Sequence, residues 1–369
     1  MRVDLIDLVS RYQDEKKEIN QCINKVLKKG HLILTEEVES FEKEISIYTN
    51  SKFCLGLNSG TDALMMALWS CGVGKGDEVI TTSKSFIATM AAIIHVGAKP
   101  VLVDVKEDLN INTNLIEEKI TKNTKAILPV HWTGRICDME HINEIAQKNN
   151  LTVIEDAAQA MGSYYKNKHA GSFSKVACYS AHPLKNLNAL GDAGYLTTND
   201  ENIYKKIKLY RNHGLRARDD VEIFGVNSRL DTLHASILSM RLKKLKKIIT
   251  KRRKNIELYR KLLKDVKEII IPEDNDNQFS SYVMFITQCE KRNELQKFLQ
   301  KFNIQSLIYY GTPLHLHEAS KKLGFKKGDY PKAEYYCEKV LALPHHQYLN
   351  SGQIEFVCQK IRRFYKNVT

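Results

Sequence analysis

Between residues 79 and 198 the sequence repeatedly sets a short β-branched or apolar run against a helix-patterned or turn-rich stretch. The runs are Val79-Ile80-Thr81-Thr82, Pro100-Val101-Leu102-Val103-Asp104, Ala126-Ile127-Leu128-Pro129-Val130-His131, Thr152 to Asp156, Val176 to Ser180 and Tyr195-Leu196-Thr197-Thr198. Strands that alternate with helical segments are built from βαβ units, so residues 1 to about 235 are expected to form an α/β unit around a mostly parallel sheet. At 369 residues the chain is too long for one small core. It suits a large domain, residues 1–245, followed by a smaller α+β domain, residues 246–369, in which Tyr282-Val283-Met284-Phe285-Ile286 reads as a strand.

The two parts are joined by the most basic stretch of the chain. Leu238, Leu242, Leu245, Ile249, Ile256, Tyr259 and Leu263 recur at spacings of three and four, with one seven-residue gap that Arg252 spans. That period predicts one long helix from about Leu230 to Leu263 with a single buried stripe and a wet lysine face. The formal charge of +13 raises the question of nucleic acid. A single-strand groove would interleave aromatics with the cations, and the stretch from Arg241 to Lys254 has none, so no nucleic-acid partner is expected. The positive field would instead help to draw in an anionic substrate.

Eight cysteines are scattered without a Cys-x-x-Cys pair, several of them in apolar stretches, which reads as buried thiols in a reducing, cytoplasmic setting. Met1-Arg2-Val3-Asp4-Leu5-Ile6-Asp7 is charged where a signal peptide would be apolar, and no apolar run approaches the roughly 20 residues of a membrane span, so no membrane association is expected. Gly72-Val73-Gly74-Lys75-Gly76-Asp77 imitates a dinucleotide loop but precedes a strand, and reads as a turn. His315, His317, His345 and His346 lack cysteine or carboxylate companions at ligand spacing, so no metal is expected.

The chemistry concentrates elsewhere. Lys185 follows the apolar run Val176-Ala177-Cys178-Tyr179-Ser180, in Ser180-Ala181-His182-Pro183-Leu184-Lys185-Asn186, ahead of Gly191-Asp192-Ala193-Gly194. A lysine near the end of a buried strand is desolvated enough to act as a nucleophile, and lysine is the side chain that forms Schiff bases with carbonyls and pyridoxal phosphate. Asp156 closes the strand-like Leu151-Thr152-Val153-Ile154-Glu155, at the end where open α/β sheets bind ligands. An electron-sink pyridine needs such a carboxylate to keep its nitrogen protonated. Asn58-Ser59-Gly60-Thr61-Asp62 precedes the helical run Ala63-Leu64-Met65-Met66-Ala67-Leu68, and a helix start offers backbone N–H groups to a phosphate.

Taken in order, Ser59-Gly60-Thr61-Asp62-Ala63-Leu64, Glu155-Asp156-Ala157-Ala158-Gln159, Ser180-Ala181-His182-Pro183-Leu184-Lys185-Asn186-Leu187 and Gly225-Val226-Asn227-Ser228-Arg229-Leu230-Asp231 closely resemble the DegT/DnrJ/EryC1/StrS family of sugar aminotransferases. The resemblance covers nearly the whole chain. It implies the aspartate aminotransferase-like fold type I of pyridoxal-phosphate-dependent transferases, with a mostly parallel seven-stranded sheet in the large domain and a smaller α+β C-terminal domain. By the same resemblance Lys185 is the Schiff-base lysine, Asp156 the partner of the pyridine nitrogen and Gln159 a donor to the ring hydroxyl. Phe86, a core residue by default, would stack on the cofactor ring. The phosphate would be held by the Gly60, Thr61 and Asp62 backbone, by the Ser180 hydroxyl and by Asn227 of a neighbouring subunit, which implies a homodimer with shared active sites. His182 and Tyr309 would lie near the sugar. Arg229 reads as a structural ion-pair residue, and His234 stands where many relatives have glutamine.

The activity implied is transfer of an amino group from L-glutamate, leaving 2-oxoglutarate, to a nucleotide-linked 3-keto or 4-keto-6-deoxyhexose, with Lys185 as both nucleophile and base. The product would serve surface polysaccharide, glycan or natural-product synthesis. Relatives with histidine at this lysine position dehydrate their sugars instead. The stretch from His182 to Asp192 leans toward the 3-amino group. Two alternatives stand beside this reading: an aminotransferase for a keto sugar without a nucleotide, such as an oxidised octulosonate, and a non-catalytic relative that binds the cofactor as a regulator.

Overall fold

Each apolar run becomes a strand of one central sheet. In the computed structural model, which describes residues 1–367, the strands are β1 Phe53–Leu57, β2 Glu78–Thr82, β3 Lys99–Val103, β4 Thr124–Leu128, β5 Thr152–Asp156, β6 Val176–Ser180 and β7 Gly194–Thr198. They lie in the order β1-β7-β6-β5-β4-β2-β3. β7 runs antiparallel to both neighbours, and the other pairs are parallel. The sheet is the seven-stranded, mostly parallel one that the resemblance implied. β1 had escaped the strand pattern because Gly56 interrupts it. A glycine weakens a strand's signal and often marks close approach of another segment; a Cβ there would sit 2.7 Å from the Leu230 Cβ.

The helices that cover the sheet are α1 Leu8–Lys29, α2 Glu36–Thr49, α3 Gly60–Ser70, α4 Ile87–His95, α5 Met139–Lys148, α6 Glu201–Tyr210, α7 Thr232–Leu242 and α8 Leu245–Leu263. Side chains alternate across a strand, so each strand feeds two cores. Val79, Leu128, Ile154, Val176 and Cys178 pack with Leu64, Ala67 and Ile93 of α3 and α4 on one face. Ile80, Ile127, Val153, Ala177 and Tyr179 pack with Phe41, Ile142 and Leu238 of α2, α5 and α7 on the other. Burial on both faces is why the runs read as apolar throughout.

Two sequence expectations change in detail. The single helix from Leu230 to Leu263 is two helices, α7 and α8, broken at Lys243 and Lys244. α7 packs on α1 and α2, whereas α8 packs on the helix Ser351–Lys366, and the break lets one amphipathic ribbon serve both cores. Arg252, which spanned the gap in the stripe, is itself buried. The strand expected at residues 282–286 runs instead from Phe285 to Cys289, because Tyr282 adopts φ 46°, in the left-handed region that strands exclude.

A second core surrounds a three-stranded sheet, β8 Ile269–Ile270, β9 Phe285–Cys289 and β10 Val340–Leu343, in that order. Tyr259, Phe285, Leu295, Leu341, Val357 and Ile361 form its centre. The chain's first residues return to it. Val3 is fully buried there and bridges Ile304, so residues 1–245 do not all pack with the large sheet.

Candidate active site

The segments that leave the carboxyl ends of β2, β5 and β6 meet the start of α3, and between them lies a cleft of about 320 Å³. This is the crevice at which open α/β sheets bind ligands. The cleft brings together Gly60, Thr61, Phe86, Asp156, Gln159, Ser180, His182, Lys185 and Tyr309, residues spread over most of the chain.

The α3 start is capped by Ser59, whose hydroxyl accepts the Asp62 N–H at 3.1 Å. The N–H groups of Gly60 and Thr61 have no acceptor among the described residues. They leave a positive helix end open at the cleft. Gly194 makes that approach possible, since a Cβ there would fall 2.2 Å from the Ser59 carbonyl carbon.

Asp62 differs from its sequence assignment. Its N–H is used by the cap, and its carboxylate accepts the Ser228 hydroxyl at 2.6 Å. Asp62 lines a separate depression with Trp69, His95, Tyr210 and Asn227. Asn227 therefore stays out of its own chain's cleft.

Asp156 ends β5 with only 4% of its surface exposed. Oδ2 accepts the Thr89 hydroxyl at 2.7 Å, and Oδ1 accepts the Ala158 N–H at 3.2 Å. Burial pushes its pKa up, with Thr89, the Ala158 N–H and Lys185 pulling the other way. Such a carboxyl gains from a cationic partner within the cleft. Gln159 has its Oε1 fixed by the Thr133 N–H at 2.9 Å. A backbone N–H needs an acceptor, so the donor end of the amide is the end left for a ligand.

Lys185 sits on the turn after β6, with its N–H donated to the His182 carbonyl. Its Nζ has no hydrogen-bond or ion-pair partner among the described residues. Burial pushes its pKa down to about 8, with Asp156 opposing. A large share of neutral amine near pH 8 is what a nucleophile and proton carrier needs. Ser180 is half-buried at the cleft wall and accepts the His182 N–H. His182 is exposed, and Phe86 shows half its surface at the cleft, 5.6 Å from the Tyr310 ring. Phe86 is thus not a core residue.

Sequence reading missed the supports. Thr89 binds Asp156, and buried Arg252 and Arg241 bind Asn186 and Asn188 on the Lys185 turn. Beneath the sheet end, His131 Nε2 donates to Glu155 at 2.7 Å while its Nδ1 accepts the Cys137 N–H. Burial pushes the Glu155 pKa up, but bonds from His131, Ser174 and Gly171 outweigh it and hold it low. The signal was present only as polar residues inside apolar stretches. Arg229 donates to Asn212 at 3.0 Å and has no carboxylate partner among the described residues, which corrects its reading as an ion-pair residue. His315 pairs with Glu334 and His345 with the Tyr282 carbonyl. No helix among the described residues is long and apolar enough to cross a membrane.

An unpaired, half-desolvated lysine facing a buried carboxylate, beside a helix start with free N–H groups, fits pyridoxal phosphate in charge and shape. Family comparison decides the matter: the model of the DegT/DnrJ/EryC1/StrS aminotransferase family matches residues 13–362. The chain belongs to the DegT/DnrJ/EryC1/StrS family.

Members of the family align along their whole length. The chain is 39% identical to the pleiotropic regulatory protein of Geobacillus stearothermophilus, over all of both chains. It is also 39% identical to the dTDP-3-amino-3,6-dideoxy-α-D-galactopyranose transaminase of Aneurinibacillus thermoaerophilus, over 98% of each. The crystal structure of DesV from S. venezuelae, in complex with a ketimine intermediate, superposes with a TM-score of 0.96 at 35% identity and 98% coverage of both chains. Fold type I and an α/β large domain are thereby settled. As a DegT/DnrJ/EryC1/StrS protein the chain is a pyridoxal-phosphate-dependent aminotransferase.

Proposed function

We propose that this aminotransferase moves the amino group of L-glutamate onto a nucleotide-linked keto-6-deoxyhexose, at C3 in preference to C4. The observation that carries the reading is Lys185 with a free Nζ, opposite Asp156 in a cleft that the sugar and the amino acid must share. Bound pyridoxal phosphate supplies an electron-withdrawing ring that holds the electron pair left when a substrate C–H proton is removed. The chain's residues do the rest. Asp156 keeps a proton on the ring nitrogen, and Gln159 donates its amide N–H to the ring oxygen. The Gly60 and Thr61 N–H groups and the Ser180 hydroxyl receive the phosphate. Lys185 Nζ would take the proton from the substrate carbon and deliver it to the cofactor carbon on the far side of the nitrogen that joins the two.

Two features support the sugar. The wall beyond Lys185 is Phe86, Leu184, Val283, Met284, Tyr309 and Tyr310, a surface that fits a deoxy carbon better than a charged one. Among the described residues that line the cleft, Lys185 is the sole lysine or arginine, so a sugar carboxylate would find no dedicated cation. The transaminase of Aneurinibacillus thermoaerophilus carries a 3-amino-dideoxysugar in its name, which favours C3.

A homodimer completes the proposal. Asn227 and Asp62 line a depression outside their own cleft, beside Val226 and the almost wholly exposed Phe224. A second copy seated there would receive Asn227 as a phosphate ligand. Eight free thiols, six of them buried, fit a reducing cytoplasm.

The regulatory alternative has the names of two relatives in its favour, the pleiotropic regulatory protein of Geobacillus stearothermophilus and the sensory transduction protein EryC1 of Saccharopolyspora erythraea. A single assay separates the readings. With 15N-glutamate and a panel of 3-keto and 4-keto nucleotide sugars, 15N should appear on a 3-keto-6-deoxy substrate. Incorporation only into a sugar without a nucleotide, or into none, would overturn the assignment.

A further inference from the structure

Among the described residues, Lys84 is the one buried lysine next to the cleft that the transamination chemistry does not use. It lies on Ser83-Lys84-Ser85-Phe86, between β2 and α4, with 1% of its surface exposed. No carboxylate pairs with it among the described residues. Its Nζ donates to the Tyr310 carbonyl at 3.2 Å and to Cys337 Sγ at 3.6 Å, and lies 4.7 Å from the centre of the Trp132 ring. Burying a lysine with no counter-ion is costly, and such groups persist where another requirement holds them.

The requirement is visible in what the contact fixes. Tyr309 and Tyr310 line the sugar side of the cleft but belong to the loop that follows Leu307, which bridges Ala342 of β10, and they pack with Trp132, Ile286 and Ala342. Two bonds pin that loop to the end of β2: Lys84 Nζ to the Tyr310 carbonyl, and the Leu314 N–H to the Ser83 carbonyl at 2.9 Å. The Tyr310 ring is held by Phe86 at 5.6 Å and Trp132 at 5.8 Å, and the same Trp132 carries the Lys84 cation on its face. Lys84 thus joins the two tyrosines to the very segment that presents Phe86.

We propose that Lys84 is a positioning residue that sets the Tyr309–Tyr310 wall and, through it, affinity for the sugar but not the proton transfers at Lys185. The inference rests on the sugar reading above for its consequence and on geometry alone for the pinning. The glutamate half of the reaction should depend less on this wall, because glutamate is smaller than a nucleotide-linked sugar.

The test uses the cofactor-loaded enzyme and Lys84→Met, which keeps the length of the side chain and removes charge and donors. Hydrogen exchange over residues 307–316 should speed up about tenfold while β2 stays protected, and the KM for keto sugar should rise about tenfold, the scale of one lost charged hydrogen bond. The glutamate half-reaction, followed by the loss of visible cofactor absorbance, should stay within twofold. Unchanged exchange over 307–316 overturns the proposal whatever the sugar kinetics show. Equal loss in both half-reactions also overturns it, because a general structural role would act on both. If Lys84→Met does not fold, Lys84→Gln, whose shorter amide removes the charge, is read by the same measurements. A wild-type enzyme inert toward every keto sugar would sink the sugar reading separately, and exchange would still decide whether Lys84 pins the loop.

Discussion

Arg252 Nη1 donates to Asn186 Oδ1 at 2.6 Å, so the residue next to Lys185 is held by a guanidinium from α8 and not by its own turn. The same guanidinium reaches the Val283 carbonyl and Gln347 Oε1, which ties the wall of the cleft to the lysine turn. Arg241 does the parallel work two residues on, bonding Asn188 and the Ala189 carbonyl while Glu15 takes its Nε at 2.7 Å.

Arg252→Met should therefore lower kcat by about tenfold and cost about 1–3 kcal/mol of stability, because Asn186 Oδ1 and the Val283 carbonyl lose their buried donor. Arg252→Lys should rescue little, since an ammonium cannot reproduce a planar fork with several acceptors. Single-turnover kinetics and a denaturant melt check both points. A variant with wild-type kcat would show that the turn holds itself.

Lys185→Ala should abolish turnover with the fold intact, as the side chain is only half-buried and its removal opens no deep cavity. Borohydride reduction of the wild-type enzyme should fix the cofactor on the peptide that contains Lys185, and reduction of the variant should fix none. A label on another lysine refutes the assignment.

Cofactor capture should follow the Lys185 amine. Burial holds its pKa at about 8, below the ordinary 10.5, so the neutral nucleophile gains as pH rises through 8 and the capture rate should then level off. A rate still climbing at pH 10 contradicts the depressed value. The stability sign is separate: the unfolded chain keeps this proton to higher pH than the folded one, so the group disfavours folding below pH 8 and that cost fades between 8 and 10.5.

Thr89→Val removes the hydroxyl that Asp156 Oδ2 accepts at 2.7 Å. With burial already pushing the carboxyl upward, losing the first of the interactions that oppose it should raise the pKa further. Activity should fall about tenfold and fall most at low pH, where Asp156 is first protonated. Asp156→Asn should lose most activity at every pH. A flat pH response in Thr89→Val would count against this role for the hydroxyl.

Much of this was written locally. The apolar runs specified the strands, because a strand buried on both faces is apolar at most of its positions. Lys185, Asp156 and the Ser59–Thr61 helix start were legible because the chemistry demands particular residue types at strand ends and helix starts. Phe86 was ambiguous by itself, since an aromatic flanked by apolar residues satisfies a core as well as a cleft. Its exposure settles the point.

Tertiary structure alone decided the rest, and the reason is range. Thr89 meets Asp156 across 67 residues, Arg252 meets Asn186 across 66, and Lys84 meets Tyr310 across 226. No period of 2 or 3.6 residues encodes such pairs. The break between α7 and α8 is of the same kind, because the stripe was continuous and only the presence of two cores divided it. The amino-acid order determined which chemistry the chain could perform; packing determined where Lys185 sits, how far burial holds its proton, and why Asp62 faces away from the cleft its own helix helps to form.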